Sequence, residues 1–193
     1  MNERIEKIQR KVKRYLDENR YNHTLGVMYT AGSLAMCHGA NIEKAMIGGL
    51  LHDCAKCIPG DKKIRICKKN NIPIKEVEMA NPGLLHAKLG AYFAETKYHI
   101  SDTEILDAIR SHTTGQPDMT DIQKIVYIAD FIEPNRRPLP NMPVVRKLAF
   151  EDLDKCIYRL LEDSLSYLKS RKIPIDPQTE ETYNFYKNKM ELK

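Results

Sequence analysis

The chain has 193 residues, of which 42% are hydrophobic and 30% are charged, and its formal net charge is +5. This composition predicts a single globular domain and excludes a disordered or fibrous protein. The sequence holds no stretch long enough to span a membrane and no apolar signal segment near its first residue, so we expect a cytoplasmic protein without a membrane contact.

Basic side chains are concentrated in the first predicted helix, residues 3–18, and again between Lys62 and Lys69. In the first helix they alternate with acidic side chains, and neither segment carries the aromatic platform on which nucleic acids stack. The charge pattern therefore argues against nucleic acid as a partner and favours a phosphorylated one.

Apolar residues recur at the spacing of α-helices along almost the whole chain, and no convincing pair of strands appears between them. We therefore predict an all-α fold. Asn41 and Ser101 are predicted N-caps, Pro143 suits a first helical turn, and residues 134–143 form one of several loops rich in Pro or Gly. The predicted helices span residues 3–18, 22–38, 42–54, 61–69, 83–97, 102–112, 120–132, 144–169 and 178–189.

Side chains of the types that bind metals occur in these helices or at their ends. They are His23, His52, Asp53, His86, His112 and Asp130. The His52–Asp53 pair ends a strongly apolar helix and Asp130 stands within another, where an unpaired polar group would be costly to bury. A metal ion would satisfy these groups together, since imidazole and carboxylate suit iron, manganese, zinc or nickel.

Each of these residues also has a less specific explanation. A single helical histidine is more often a hydrogen-bonded core or surface residue than a ligand, and Asp130 could form an ion pair with Arg136, Arg137 or Lys124. Only the joint pattern favours a metal. His38 and His99 adjoin a helix end and a turn, and we expect them to take no part in the site.

The order and surroundings of these residues resemble the H…HD…D signature of the HD-domain metal-dependent phosphohydrolases, with His23, the His52–Asp53 pair and Asp130 at the matching positions. Lys56, His86, His112 and residues 133–136 extend the resemblance to the YqeK family, whose members are symmetrical dinucleoside-tetraphosphate hydrolases. The resemblance covers about residues 21–137 and resumes at 173–179.

This resemblance implies an HD-domain helical bundle with a metal site in its core. We expect one domain over residues 1–193, with a metal-binding core of about 20–137 and a C-terminal helical portion of about 143–193. The implied reaction is the cleavage of a nucleotide substrate, diadenosine tetraphosphate, into two molecules of ADP.

The resemblance also implies one or two bound ions, iron being favoured and other divalent transition metals being alternatives. In the arrangement that we favour, one metal is held by His23, His52, Asp53 and Asp130, and Asp53 also reaches a second metal held by His86 and His112. Metal coordination can lower the pKa of water from about 15.7 to about 7, which supplies a nucleophile at neutral pH. His86 and His112 could instead contact substrate phosphate.

Asp53 and Lys56 are the predicted catalytic residues, because an ammonium group three residues after Asp53 could neutralise charge on the phosphate bridge. A solvent-exposed lysine is the alternative for Lys56. Arg20 and Arg136 are predicted to hold terminal phosphates through their guanidinium groups. Lys56, His86, His112 and Thr113 complete the predicted substrate contacts, and Thr114 is a weaker candidate.

Three other functions stay open from the sequence: a different HD nucleotide phosphohydrolase, a two-iron oxygenase and a nucleotide-binding module without catalysis.

Five cysteines in irregular spacing favour a reducing compartment. Cys54 and Cys57 have the spacing of a redox motif, but we expect them to be buried free thiols on a helix. The apolar stripe from Leu153 to Leu168 could be core or the face of a homodimer, and we favour the core.

Overall fold

A computed structural model of the protein describes residues 3–137 and 141–192. Within these ranges the chain forms eleven α-helices and one 3₁₀ helix, with no β-strand, so the predicted all-α class is confirmed. None of the helices in these ranges is long and apolar enough to cross a membrane.

The helices follow one another with short connections. They are α1 (Glu3–Val12), α2 (Glu18–His38), α3 (Ile42–Leu51), α4 (Gly60–Lys69), α5 (Glu76–Ala80), the 3₁₀ helix Pro82–Leu85, α6 (His86–Tyr98), α7 (Thr103–Ser111), α8 (Asp121–Ile132), α9 (Met142–Glu151), α10 (Leu153–Ser170) and α11 (Pro177–Glu191).

The centre of the bundle is formed by α2, α3, α7 and α8, which pack against one another. One apolar cluster joins α8 to α2 and to the C-terminal helices α9, α10 and α11. A second joins α3 to α1, α6 and α7. Gly49 lets α3 approach α2 closely, because a Cβ atom there would lie 3.1 Å from the backbone of Met28.

The boundary between the first two helices differs from the prediction. α1 ends at Val12 and not at residue 18, and α2 begins at Glu18 and not at residue 22. The reason is the N-cap Asp17, whose carboxylate accepts a hydrogen bond from the Arg20 amide at 2.8 Å. Arg20 therefore lies in the first turn of α2, one turn before His23.

The predicted helix 144–169 is two helices that meet at Asp152. This residue is extended, with φ −154° and ψ 105°, and its side chain caps the Lys155 amide at the start of α10. Six apolar residues of the stripe that begins at Leu153 are buried in α10, which confirms that the stripe is core.

Smaller corrections concern caps and short elements. The N-cap of α7 is Asp102 and not Ser101, since the Asp102 carboxylate accepts from the amides of Glu104 and Ile105. Asn41 caps α3 and Pro143 lies in the first turn of α9, as predicted. The five-residue helix α5 was not predicted, and residues 138–140 of the predicted loop 134–143 lie outside the described residues.

Candidate metal centre

The six predicted ligands come from five places in the bundle and meet near one point. His23 lies on α2, His52 and Asp53 directly follow α3, His86 is the first residue of α6, His112 directly follows α7, and Asp130 lies on α8. All but Asp130 are buried, and the Asp130 side chain is only 13% exposed. The predicted helix 42–54 in fact ends at Leu51, so the His–Asp pair begins a turn.

Three of the histidines are oriented by backbone carbonyl groups. The Nδ1 atoms of His52, His86 and His112 lie 2.6, 2.6 and 2.7 Å from the carbonyl oxygens of the residues three positions earlier. Each Nδ1 therefore donates a proton, so each Nε2 faces the centre of the cluster and can bind a metal in the neutral imidazole form. Metal-binding histidines are commonly held in this way.

Asp53 is the side chain that the cluster shares. Its Oδ1 atom lies 3.1 Å from Nε2 of His86 and 3.7 Å from Nε2 of His112. Its Oδ2 atom lies 3.5 Å from Nε2 of His52. The Nε2 atoms of His86 and His112 are themselves 3.1 Å apart. One carboxylate thus faces three imidazoles.

Asp130 faces the other side of His52. Its Oδ1 atom lies 3.0 Å from Nε2 of His23 and 3.8 Å from Nε2 of His52. Two sets of three side chains therefore present ligand atoms within 4.8 Å of one another, and His52 belongs to both. They are His23, His52 and Asp130, and His52, Asp53 and His112.

The residues present fit a metal ion. Nε2 of His23, Nε2 of His52 and Oδ1 of Asp53 are buried and have no hydrogen-bond partner among the described residues. Leaving such atoms unpaired is costly, and a cation between them would remove that cost. A donor set of imidazole nitrogens and carboxylate oxygens suits a divalent first-row transition metal.

Burial and mutual charge also shift the acidity of these groups. Burial opposes ionisation of Asp53, but the surrounding imidazoles, with His52 foremost, hold its pKa well below the usual range. Asp130 likewise has a lowered pKa despite its burial, because His23, His52 and Arg136 favour its carboxylate form. Burial lowers the pKa of His86 to about 4, so this imidazole is neutral at pH 7. Ionised carboxylates and neutral imidazole are the protonation states in which these groups bind metal.

Three cationic side chains surround the cluster. Arg20 Nη1 lies 2.7 Å from Oδ2 of Asp53, and Arg136 Nη2 lies 2.8 Å from Oδ1 of Asp130. Lys56 Nζ lies 3.1 Å from Nε2 of His86 and 3.7 Å from Oδ1 of Asp53. The ion pair with Arg136 that was the alternative explanation for Asp130 is thus present, alongside its contacts with two histidines.

The turn after α3 holds Lys56 in this position. The buried Lys63 donates a hydrogen bond from Nζ to the carbonyl oxygen of Lys56 at 3.2 Å.

Cys54 is buried, and burial raises the pKa of its thiol to about 12, so it is an inert residue. Cys57 is exposed and lies in the same turn, which corrects the expectation that both thiols are buried on a helix.

Four other residues discussed from the sequence lie outside the cluster. Thr113 is half-buried directly after His112, and among the described residues no hydrogen bond joins its side chain to the six candidate ligands. His38 hydrogen-bonds the Ala149 carbonyl oxygen, and His99 ends α6 in a left-handed conformation. Lys124 pairs with Asp154 and not with Asp130.

Glu133 was not predicted as a site residue. It directly follows α8, is 1% exposed, and its Oε1 atom lies 3.0 Å from Nδ1 of His23. The family resemblance includes it only as part of the segment 133–136, since a glutamate at a helix end before a proline is normally a surface residue. Its burial depends on Gly26, far away in the sequence, against which it packs.

A cleft of about 1190 Å³ opens from the cluster toward the C-terminal helices. Its lining includes Arg20, His23 and Arg136, which belong to or contact the cluster, and also side chains of α10. The lining residues are Asp17, Asn19, Arg20, Asn22, His23, Phe131, Glu133, Asn135, Arg136, Arg137, Asn141, Arg159, Leu160, Asp163, Ser164 and Tyr167. The cleft thus combines basic groups with aromatic and apolar ones.

Comparison with known proteins matches this chain to characterised families. The family model described as HD domain matches residues 20–135. The chain is 41% identical to a protein of Bacillus subtilis (strain 168) named "Bis(5′-nucleosyl)-tetraphosphatase, symmetrical", with 90% of this chain and 92% of that protein covered. It is 39% identical to a protein of the same name from Halalkalibacterium halodurans, over 90% and 91% of the two chains.

A solved structure is similar over almost its full length. This crystal structure, from Clostridium acetobutylicum, is described as a "predicted HD superfamily hydrolase involved in NAD metabolism". Its TM-score with the present structure is 0.91 at 38% sequence identity, and the match covers 95% of this chain and 97% of that one.

Proposed function

Because the chain belongs to the HD-domain family and, within it, to the family of the symmetrical bis(5′-nucleosyl)-tetraphosphatases, we propose that it hydrolyses diadenosine tetraphosphate to two molecules of ADP. The family resemblance recognised from the sequence motifs is confirmed. The protein is an enzyme of the hydrolase class. This family membership favours hydrolysis over the two alternatives of a two-iron oxygenase and a nucleotide-binding module without catalysis.

The observation that carries the proposal is the convergence of buried ligand atoms beside a basic cleft. Nε2 of His23, Nε2 of His52 and Oδ1 of Asp53 lie close to one another and to neighbouring ligands, but none of the three has a hydrogen-bond partner among the described residues. Arg20 and Arg136 stand at the point where the cluster meets the cleft. This combination suits a metal-dependent reaction on an anionic substrate that is too large for the cluster itself.

The enzyme depends on a divalent metal, as its membership of the HD-domain family implies. We propose iron, held by His23, His52, Asp53 and Asp130, with a second ion shared by Asp53 and completed by His86 and His112. When bound, the metal supplies a water molecule of lowered pKa as nucleophile and a positive charge for the phosphate oxygens.

The chain's own residues orient the substrate and balance its charge. The Lys56 ammonium lies 3.7 Å from Oδ1 of Asp53, close enough to meet oxygens of the scissile phosphates and to neutralise negative charge that grows as the bridge breaks. The guanidinium groups of Arg20 and Arg136 pair with the ligand carboxylates in this structure and retain further N–H groups for phosphate. His86 and His112 bind the second metal ion and not the substrate. Thr113 supplies a hydroxyl group next to His112.

One nucleoside of the substrate occupies the cleft. Phe131 and Tyr167 offer aromatic faces on which a base can stack, and the Tyr167 side chain is 57% exposed. The phosphates then extend past Arg136 to the metal centre, where water attacks a phosphorus atom of the central anhydride bond. Cytoplasmic location and homodimer formation stay predictions from the sequence.

The test is an assay of the purified protein with diadenosine tetraphosphate before and after removal of its metal by a chelator. The proposal expects ADP as the sole nucleotide product, loss of turnover on chelation, and recovery when Fe²⁺ is returned under anaerobic conditions. Turnover that survives complete removal of metal would contradict the metal-dependent mechanism.

A further inference from the structure

Glu133 contacts the one histidine of the cluster that no backbone carbonyl orients. His52 and His112 directly follow helices, and His86 follows a 3₁₀ helix, so each finds a carbonyl oxygen three residues earlier. His23 lies within α2, where the carbonyl groups accept from the helix's own amides. A side-chain acceptor must therefore replace the carbonyl, and Oε1 of Glu133 lies 3.0 Å from Nδ1 of His23.

We propose that Glu133 is a positioning residue for the metal centre, fixing the His23 ring with Nε2 toward the metal, and that Gly26 is required because it makes room for the Glu133 carboxylate. The inference rests on the metal centre of the proposed function. A carboxylate that accepts the second ring proton of a ligand histidine fixes its tautomer and makes it a stronger ligand.

The second carboxylate oxygen of Glu133 links this residue to the loop that carries Arg136. Oε2 accepts a hydrogen bond from the Asn135 amide at 2.7 Å, one residue before Arg136. From α9, Arg146 donates to the carbonyl oxygens of Ile132 and Glu133 at 3.0 and 3.2 Å and so holds the end of α8. Glu133 thus joins a candidate ligand on α2 to the loop that carries Arg136.

Gly26 lies one helical turn after His23, on the side of α2 that faces Glu133. A Cβ atom at position 26 would lie 2.2 Å from Oε2 of Glu133, far inside contact distance. The carboxylate is held at both oxygens and is buried, so it cannot move away without losing a hydrogen bond. An alanine at position 26 should therefore act on the metal centre by displacing Glu133.

This relationship can be tested with a double-mutant cycle on the full-length protein. The variants are Glu133→Ala, Gly26→Ala and the two combined, with Gly32→Ala as matched control. Gly32 lies on the same helix, and a Cβ atom there would meet the flexible Met46 side chain at 3.0 Å and Ile42 at an ordinary contact distance of 4.0 Å. The readout is the dissociation constant of Fe²⁺ from each variant, measured anaerobically by chelator competition, together with the melting temperature of the metal-free protein.

We expect Glu133→Ala and Gly26→Ala each to weaken Fe²⁺ binding by about 10- to 100-fold. The double variant should bind Fe²⁺ as tightly as Glu133→Ala alone, because the carboxylate that Gly26→Ala displaces is already absent. Gly32→Ala should bind Fe²⁺ as the wild type does. Should Glu133→Ala fail to fold, Glu133→Gln replaces it: its single acceptor oxygen cannot serve both His23 and Asn135, so weaker binding is again expected.

Two results would overturn the inference. One is wild-type Fe²⁺ affinity in a folded Glu133 variant. The other is additive losses in the double variant, which would mean that Gly26→Ala acts by another route. Failure of the proposed function itself is distinguishable, since the wild-type protein would then bind no metal or would hydrolyse no dinucleotide, whatever the variants do.

Discussion

Nε2 of His86 lies 3.1 Å from Oδ1 of Asp53, although Asp53 lies in the turn after α3 and His86 begins α6, with α4, α5 and the 3₁₀ helix between them in the sequence. This contact extends the cluster beyond the four residues of the H…HD…D signature. The proposed second metal site depends on this contact, because a second ion held by His86 and His112 would need Asp53 as a shared ligand.

The first prediction tests that second site through His112. His112→Ala should lower the metal content of the purified protein by about one equivalent, since His112 lies 3.7 Å from Oδ1 of Asp53 and 3.1 Å from His86. Elemental analysis of protein prepared without added metal measures this. An unchanged metal count with a raised KM would instead assign His112 to substrate phosphate.

The second prediction concerns Asp53 as the shared ligand. Asp53→Ala should remove metal and turnover together, because its carboxylate faces His52, His86 and His112 at once. His99→Asn is the control, since asparagine tolerates the left-handed conformation of position 99 and this residue lies outside the cluster. The account fails here if the Asp53 variant keeps its full metal complement.

The third prediction separates Lys56 from the ligands. Lys56→Met should lower kcat by about 100-fold while the metal stays bound, because the ammonium is proposed to meet phosphate oxygens and no metal. Lys62→Met, at an exposed position on α4, is the matched control and should change neither quantity. Steady-state kinetics with parallel metal analysis would decide, and loss of metal from the Lys56 variant would argue for a structural role.

The fourth prediction concerns stability away from the site. Asp154 on α10 pairs with Lys124 of α8 at 2.8 Å and with Lys189 of α11 at 2.9 Å. Asp154→Asn should lower the free energy of unfolding by about 1.5–3 kcal/mol, the usual loss for hydrogen bonds between charged groups. Thermal unfolding measures this, and turnover per folded molecule should be unchanged.

The contribution of these two Asp154 ion pairs to the free energy of unfolding should depend on pH, and its sign follows from the pKa of Asp154. Burial opposes ionisation of Asp154, but Lys124 and Lys189 outweigh it and hold its pKa below the ordinary value of 3.8. The stabilisation is therefore complete well above that value and is lost as the pH falls through the lowered pKa. The difference between the wild type and Asp154→Asn should shrink in acid below about pH 4, and a difference that grows there would contradict the assignment.

The sequence predicted the helical class from periodic apolar positions, and it predicted the residues of the cluster from the order of the histidines and aspartates and their family resemblance. It did not predict the break at Asp152, where an N-cap competes with an otherwise continuous helical pattern. Nor did it predict Glu133, whose burial depends on a glycine 107 positions earlier that approaches only after α2 and α8 have packed. Contacts of that kind arise from tertiary structure and leave no periodic trace.

The identity of the products tests the central claim most directly. In water labelled with ¹⁸O, diadenosine tetraphosphate should yield only ADP, and mass spectrometry should find one ¹⁸O atom in one of the two ADP molecules from each turnover. This follows because water attacks at the central anhydride bond, adding its oxygen to one half while the other half leaves with the bridging oxygen. Formation of AMP and ATP in equal amounts, or consumption of O₂ without cleavage of a phosphate bond, would contradict the account.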